Sequence, residues 1–164
     1  EEAALGLTAA EHDITLVLQD RTFDADNQLH YTADASGILG GMMGMVQHEQ
    51  MMGVVGDKIL INGISDFVLN VERRGYRLRL LNGSNARIFT LGWSDGTPIT
   101  IIGTDGGLLE APVERPYVHL APAERIELWV DFSDWSVGEE PTLMNLPPIN
   151  TSIAFPRTSS IINR

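Results

Sequence analysis

The feature that most limits what this chain can fold into is a run of short extended segments that begins at Lys58 and never gives way to a helical period. Lys58 to Ile61, Phe67 to Val71, Tyr76 to Leu81, Ala86 to Leu91, Ile99 to Thr104, Tyr117 to Leu120 and Arg125 to Phe132 are rich in β-branched, aliphatic and aromatic residues, with turn-forming residues between them. The connections carry Asn62-Gly63, Asn82-Gly83, Asp95-Gly96 and Asp105-Gly106-Gly107, which reach positive φ at little cost. Alternation is cleanest in the last segment: Ile126, Leu128, Val130 and Phe132 point one way, Glu127, Trp129 and Asp131 the other. Burying those four apolar side chains contributes about 1.5–3 kcal/mol each before the entropy of ordering is counted. Many short strands punctuated by turns predict an all-β sandwich or barrel of about seven to nine strands with little helix.

Upstream, Ile14 to Asp20 also alternates, with Ile14, Leu16 and Leu18 on one face and Thr15, Val17 and Gln19 on the other. Glu1 to Glu11 has helix-forming bias, which Gly6 and Thr8 limit to a turn or two. Asp24 to Asn27 is turn chemistry, and Ala33 to Gly53 is a Gly- and Met-rich loop with no dominant period. Leu143 to Phe155, with Pro147 and Pro148, predicts a closing strand followed by a linker. The organisation expected is a lead-in from a preceding domain over residues 1–12, one domain over 13–146, and a linker or tail over 147–164. A start at Glu1 and a finish on Ile161 to Arg164 suggest a piece of something longer.

Composition narrows the function classes. Of 164 residues, 43% are hydrophobic and 20% charged, which suits a globular domain with a real core. A formal charge of -11 repels phosphate backbones and anionic lipid heads, so neither nucleic acid nor a membrane surface is expected as a partner. No apolar stretch approaches the roughly 20 residues a spanning helix needs. The absence of cysteine removes disulfides, thiolate nucleophiles, iron–sulfur clusters and Cys-ligated blue copper.

Five segments taken together resemble the second domain of bacterial multicopper oxidases of the laccase and cuprous-oxidase type. They are HDITLVLQDRTFDADNQLHY (His12 to Tyr31), GDKILING (Gly56 to Gly63), YRLRLLNGSNARIFTL (Tyr76 to Leu91), ITIIGTDGGLLEAPV (Ile99 to Val113) and LAPAERIELWVDF (Leu120 to Phe132). The resemblance implies a Greek-key sandwich of cupredoxin type, placed as the middle domain between two flanking cupredoxin domains of the same protein. In that family the blue copper lies in the third domain, the trinuclear cluster is shared between first and third, and the middle domain carries no metal. The assembled enzyme couples oxidation of phenols or metal ions, cuprous ion included, to reduction of dioxygen to water, and a periplasmic or extracellular location is implied. No catalytic or cofactor-binding residue is then expected in this chain, and copper belongs to the parent enzyme.

The residues agree with that assignment. Copper centres of this kind draw on paired His-x-His and His-Cys-His segments, because imidazole and thiolate suit copper in both oxidation states. Here His12, His30, His48 and His119 are all single. The one chemically unusual stretch is Gly41 to Gly53, where Met42, Met43, Met45, Met51 and Met52 surround His48, Glu49 and Gln50. Thioethers and imidazole suit Cu(I), so Met42, Met43, Met45, His48, Met51 and Met52 are candidate metal ligands; adaptable methionines plugging an apolar interface are the alternative. His30 and His119 are expected to be hydrogen-bonded structural residues, lacking a second histidine at ligand spacing. Asp20-Arg21 and Glu124-Arg125 are expected as ion pairs fixing strand ends. Asp105, Gly106 and Gly107 read as a hairpin corner, since no Lys-Ser/Thr follows as a phosphate loop requires. Two readings of function are open at this point: a scaffold domain between copper-bearing domains, or an independent redox-inactive binding module with a weak Cu(I) site in the Met-rich loop.

Overall fold

The computed structural model describes residues 10–30 and 53–147. A short 3-10 turn (Ala10–His12) leads into ten strands: β1 (Asp13–Phe23), β2 (Leu29–His30), β3 (Lys58–Ile61), β4 (Gly75–Asn82), β5 (Phe89–Trp93), β6 (Ile99–Thr104), β7 (Gly107–Arg115), β8 (Val118–Leu120), β9 (Arg125–Asp131) and β10 (Leu143–Asn145). A second 3-10 turn (Phe132–Asp134) follows β9, capped by the Asp131 carboxylate, which accepts from Ser133 N–H.

Seven strands form one sheet in the order β2-β1-β4-β9-β6-β7, with β3 also on β1, and β10-β5-β8 form a second. The order is non-sequential, as Greek-key connections require. The β1–β4 pair is parallel, in the register Asp13↔Arg77 to Leu18↔Asn82; every other pair is antiparallel. Apolar residues at period two put one face of each sheet inward. Leu16 and Leu18 of β1, Leu78 and Leu80 of β4, and Ile126, Leu128 and Val130 of β9 meet Phe89, Leu91, Val118, Leu120 and Leu143 of the smaller sheet in one core.

The expected all-β sandwich is what forms, and the Ile126, Leu128, Val130 and Phe132 face is buried as its alternation requires. Three expectations change. Phe67 to Val71 is not a strand: Phe67, Leu69 and Val71 pack on the core and Val68 and Asn70 face solvent, so the alternation is real, but the segment has no ladder partner. The strand expected over Ala86 to Leu91 starts at Phe89 and runs to Trp93, because Arg87 is held in a side-chain clamp. β7 was not expected as a strand. It is an edge strand exposed along most of its length, so it carries no burial alternation to read.

Turn chemistry divides likewise. Asn62 (φ 50°) and Gly63 (φ 83°) both adopt the left-handed conformation of a tight turn bridged by Ile61 and Ile64. Gly107 (φ 110°) completes the β6–β7 corner after Asp105-Gly106. Asn82-Gly83 makes no such turn. Asn82 is 0% exposed, and its amide donates to the carbonyls of Arg87 (2.7 Å) and Leu120 (2.8 Å) and accepts from Ser84 N–H (2.9 Å).

Candidate functional site

The polar chemistry of the described residues falls into four places. On the outer face of the larger sheet, β4 directs Arg77 and Arg79 away from the core, and its neighbours supply the carboxylates. Register sets Asp13 beside Arg77 and Glu127 beside Arg79. Arg77 Nε donates to Glu127 Oε2 at 2.9 Å, Arg79 Nε donates to Asp13 Oδ1 at 2.7 Å, and Arg77 Nη1 lies 3.6 Å from Asp13 Oδ2. The Arg77 side chain is 3% exposed and those of Asp13 and Glu127 are 18% and 17%. The hydrogen bond that Arg79 donates to Asp13 holds its guanidinium above the ordinary pKa, outweighing partial burial and the repulsion of Arg77. A guanidinium does not release its proton in proteins, so this closed network offers no proton to a reaction.

The second place is a clamp just before β3. The Asp20 carboxylate, its side chain 1% exposed, accepts from Gly56 N–H at 2.7 Å and from Arg87 Nε at 3.0 Å, while Arg87 Nη2 donates to the Gly56 carbonyl at 2.6 Å. A cavity of about 130 Å³ adjoins it, lined by Asp20, Thr22, Leu29, His30 and Val54 among others. The expected Asp20-Arg21 ion pair is therefore corrected: Arg21 Nη1 donates to the Asp20 backbone carbonyl, and the carboxylate goes to Arg87. Glu124-Arg125 is corrected in the same way, since Glu124 accepts from Ala121 N–H at 2.6 Å and Arg125 pairs with Asp105 at 2.9 Å. Asp20 and Arg21 are successive residues of β1 and point to opposite faces, so the carboxylate finds its partners in the segments that hold Gly56 and Arg87.

The third place is a groove of about 380 Å³ lined by His12, Asn70, Val71, Glu72, Arg74 and Tyr76, with Glu11 at its rim. Arg74 Nη1 lies 2.9 Å from His12 Nε2; a guanidinium only donates, so Nε2 accepts and the ring proton sits on Nδ1, 3.7 Å from Glu11 Oε1. His12 also stands edge-on to Tyr76, which begins an aromatic cluster with Phe132, Trp93 and Trp135. Trp135 Nε1 donates to Asp95 Oδ2 at 2.8 Å. Partial burial raises the Asp95 pKa, but hydrogen bonds from Thr97 and Trp135 outweigh it and leave the carboxyl below its ordinary value. The Ser133 hydroxyl and N–H lower that of Asp131 likewise.

The fourth place is β8, where His119 Nδ1 meets Thr90 Oγ1 at 3.0 Å beside Tyr117, the structural hydrogen-bonded role expected of it. His30 sits on exposed β2 at the mouth of the smaller cavity. No group of three or more His, Cys, Asp or Glu among the described residues is placed to hold a metal ion. Met42, Met43, Met45, His48, Met51 and Met52 lie outside the described residues. Sequence reasoning missed Arg77, Glu127, Arg87 and Asn82; the signal for the first two was a run of charges on the outward positions of otherwise apolar strands.

No family model matches the chain. Individual proteins do. The chain is 40% identical over 128 residues to the cell division protein FtsP of Edwardsiella tarda, covering 78% of this chain and 23% of that protein. It is 37% identical over 148 residues to multicopper oxidase LPR1 homolog 1 of Oryza sativa subsp. japonica, covering 90% of this chain and 24% of that one. The crystal structure of a variant of the McoA multicopper oxidase from Aquifex aeolicus superposes with a TM-score of 0.72 at 40% identity, over 89% of this chain and 29% of that chain. The chain thus spans about a quarter of the length of the curated relatives it matches. No helix among the described residues is long and apolar enough to cross a membrane. With that identity along most of its length and the same β-sandwich, the chain belongs to the multicopper oxidase family, as a cupredoxin-like domain.

Proposed function

We propose that this chain is the middle domain of a multicopper oxidase and serves as a non-catalytic scaffold, spacing and buttressing flanking cupredoxin domains that hold the copper. The parent enzyme, in this reading, couples oxidation of phenols or metal ions to reduction of dioxygen to water, in the periplasm or outside the cell. The observation that carries the reading is the ligand inventory: a chain this similar to copper oxidases has no cysteine and only four single histidines. Without a thiolate there is no blue-copper site, and without paired imidazoles there is no trinuclear cluster. The ion-pair network and the clamp support the same role, because they tie separate segments of the sheet together.

The test is copper loading of the isolated chain. Expected are no intense thiolate–copper absorption and no oxidation of a phenol by dioxygen; stoichiometric blue colour would overturn the reading. A second reading, that of a redox-inactive binding module, is favoured by the 40% identity to a protein named for cell division and not for oxidation. The reading frame on either side discriminates the two. Flanking His-x-His and His-Cys-His segments belong to the oxidase, and their absence to the binding protein.

A further inference from the structure

Backbone groups that no ladder takes up mark the places where a fold can accept another strand. Two stretches of the described chain leave such groups. β7 ends the larger sheet, and its residues 109–112 have no partner on β6. Pro112 removes a donor there, however, and Glu110 and Glu114 stand exposed beside it, so this edge is guarded against pairing. Residues 67–71 are not guarded. They include neither proline nor charge, and among the described residues none of their N–H or carbonyl groups has a hydrogen-bond partner. The segment is nonetheless fixed. Phe67, Leu69 and Val71 pack on the core, which leaves Val68, 42% exposed, and Asn70 outward, the alternation of an extended chain. Upstream stands the Ile61–Ile64 bridge. Downstream, Glu72 N–H donates to Tyr76 Oη at 3.0 Å, and Arg73 donates to the carbonyls of Ser133 at 2.8 Å and Trp135 at 3.2 Å. The groove of about 380 Å³ opens at the end of this segment, lined by Asn70, Val71 and Glu72 together with Glu11 and His12.

We propose that residues 67–71 are a docking edge for an extended peptide strand carrying lysine or arginine, which enters the groove and pairs with the unused backbone groups. Pairing supplies what the segment lacks, because alternate residues along one edge each gain a partner for N–H and carbonyl. The edge is already extended and anchored by three apolar side chains, so the cost of ordering falls on the incoming strand. Charge selects that strand. Asp66 and Glu72 stand exposed at the two ends of the segment, and Glu11 lines the groove with its side chain 76% exposed. Arg74, the groove's guanidinium, is already occupied by Glu72 at 3.5 Å and His12 at 2.9 Å. An acidic rim on a chain of net charge -11 attracts a basic strand and disfavours a second copy of the chain. That the strand comes from a flanking domain rests on the scaffold reading; the docking edge itself does not.

The test is residue-resolved amide hydrogen exchange in the full 164-residue chain, with a blocked hexapeptide of alternating valine and lysine as the probe. In the free chain the amides of Val68, Leu69, Asn70 and Val71 should exchange nearly as fast as in an unfolded chain, although core side chains alternate with them. Peptide at about ten times its Kd should slow alternate amides, Val68 with Asn70 or Leu69 with Val71, by about tenfold. The same peptide N-methylated throughout has no amide donors and should give no protection. The Glu11→Gln, Glu72→Gln double variant changes only exposed side chains and should bind the valine–lysine peptide about three- to tenfold more weakly at low salt. Slow exchange of these amides in the free chain overturns the proposal, because the edge is then already taken; slowing that grows with protein concentration assigns it to a second copy. Unchanged exchange at about 1 mM peptide, or equal protection by the N-methylated peptide, overturns it as well. Equal binding of a valine–glutamate peptide overturns the basic partner. Blue colour on copper loading sinks the scaffold reading and leaves these exchange rates unaffected.

Discussion

Gly56→Ala tests the clamp and the fold together. The glycine packs against the backbone of Arg21, where a Cβ would collide with Arg21 N and lie 2.6 Å from its Cα. Those are backbone atoms of β1, held by ladders to β3, so they cannot yield as a flexible side chain would. The methyl group must push the segment before β3 away, which also pulls the Gly56 N–H from the Asp20 carboxylate. Overpacking costs about 1–3 kcal/mol, and loss of a hydrogen bond to a charged, buried acceptor about 1.5–3 kcal/mol. Together the loss is about 3–5 kcal/mol. Gly63→Ala is the control: φ there is 83° but nothing lies within 4 Å of the new methyl, so only the left-handed backbone penalty of about 1–2 kcal/mol applies. With a urea m-value of about 2 kcal/mol/M, Gly56→Ala should lower the midpoint by about 2 M and Gly63→Ala by about 0.5–1 M. Equal midpoints for the two variants, or a milder Gly56→Ala, would refute the argument that steric contact with Arg21 sets the requirement for glycine.

Two further perturbations separate buried from exposed charge. Arg77→Met strips Glu127 of its partner under the outer face and should cost about 3–5 kcal/mol in urea unfolding, whereas Arg125→Met, breaking an exposed pair with Asp105, should cost under about 1 kcal/mol. Comparable losses would mean that the network is not screened from water. Asp95 and Asp131 both have carboxyls held below their ordinary pKa, so the folded state binds fewer protons than the unfolded one. Their contribution is present above the unfolded value of about 3.9 and is lost as pH falls through the folded values. The Asp95→Asn, Asp131→Asn double variant should therefore show a shallower decline of urea midpoint below about pH 4, and an unchanged acid slope would contradict it.

What the sequence made legible was set by burial. β1 and β9 bury one face, so their period of two is plain, and their inward residues were read correctly. β7 is exposed nearly everywhere and its Leu-Glu-Ala-Pro stretch faces a register shift in β6, so nothing periodic survives to mark it. The charged sites were illegible for a different reason. Asp20 and Arg87 are 67 residues apart and Arg79 and Asp13 are 66 apart, and only the strand order brings them together. Pairing residues adjacent in sequence was bound to fail on strands, because neighbours face opposite ways.

The two Asn-Gly pairs show where a closer reading of the same residues would have reached further. Asn62-Gly63 ends a four-residue strand and turns in solvent, its two positive φ angles linking Ile61 to Ile64. Asn82-Gly83 ends an eight-residue strand whose inward positions are Tyr76, Leu78 and Leu80, and the same count of two lands on Asn82. The dipeptide suggested a turn, but the alternation already assigned that side chain to the core. A buried amide must find its hydrogen bonds within the protein, and Asn82 does so by holding the end of β8 and the loop before β5. That fixes where β5 begins, and with β5 the face on which Leu146 lies. Composition favoured a turn at both sites; the phase of the preceding strand distinguishes them, because a polar side chain in phase with a core face is obliged to bond and an out-of-phase one is free to turn.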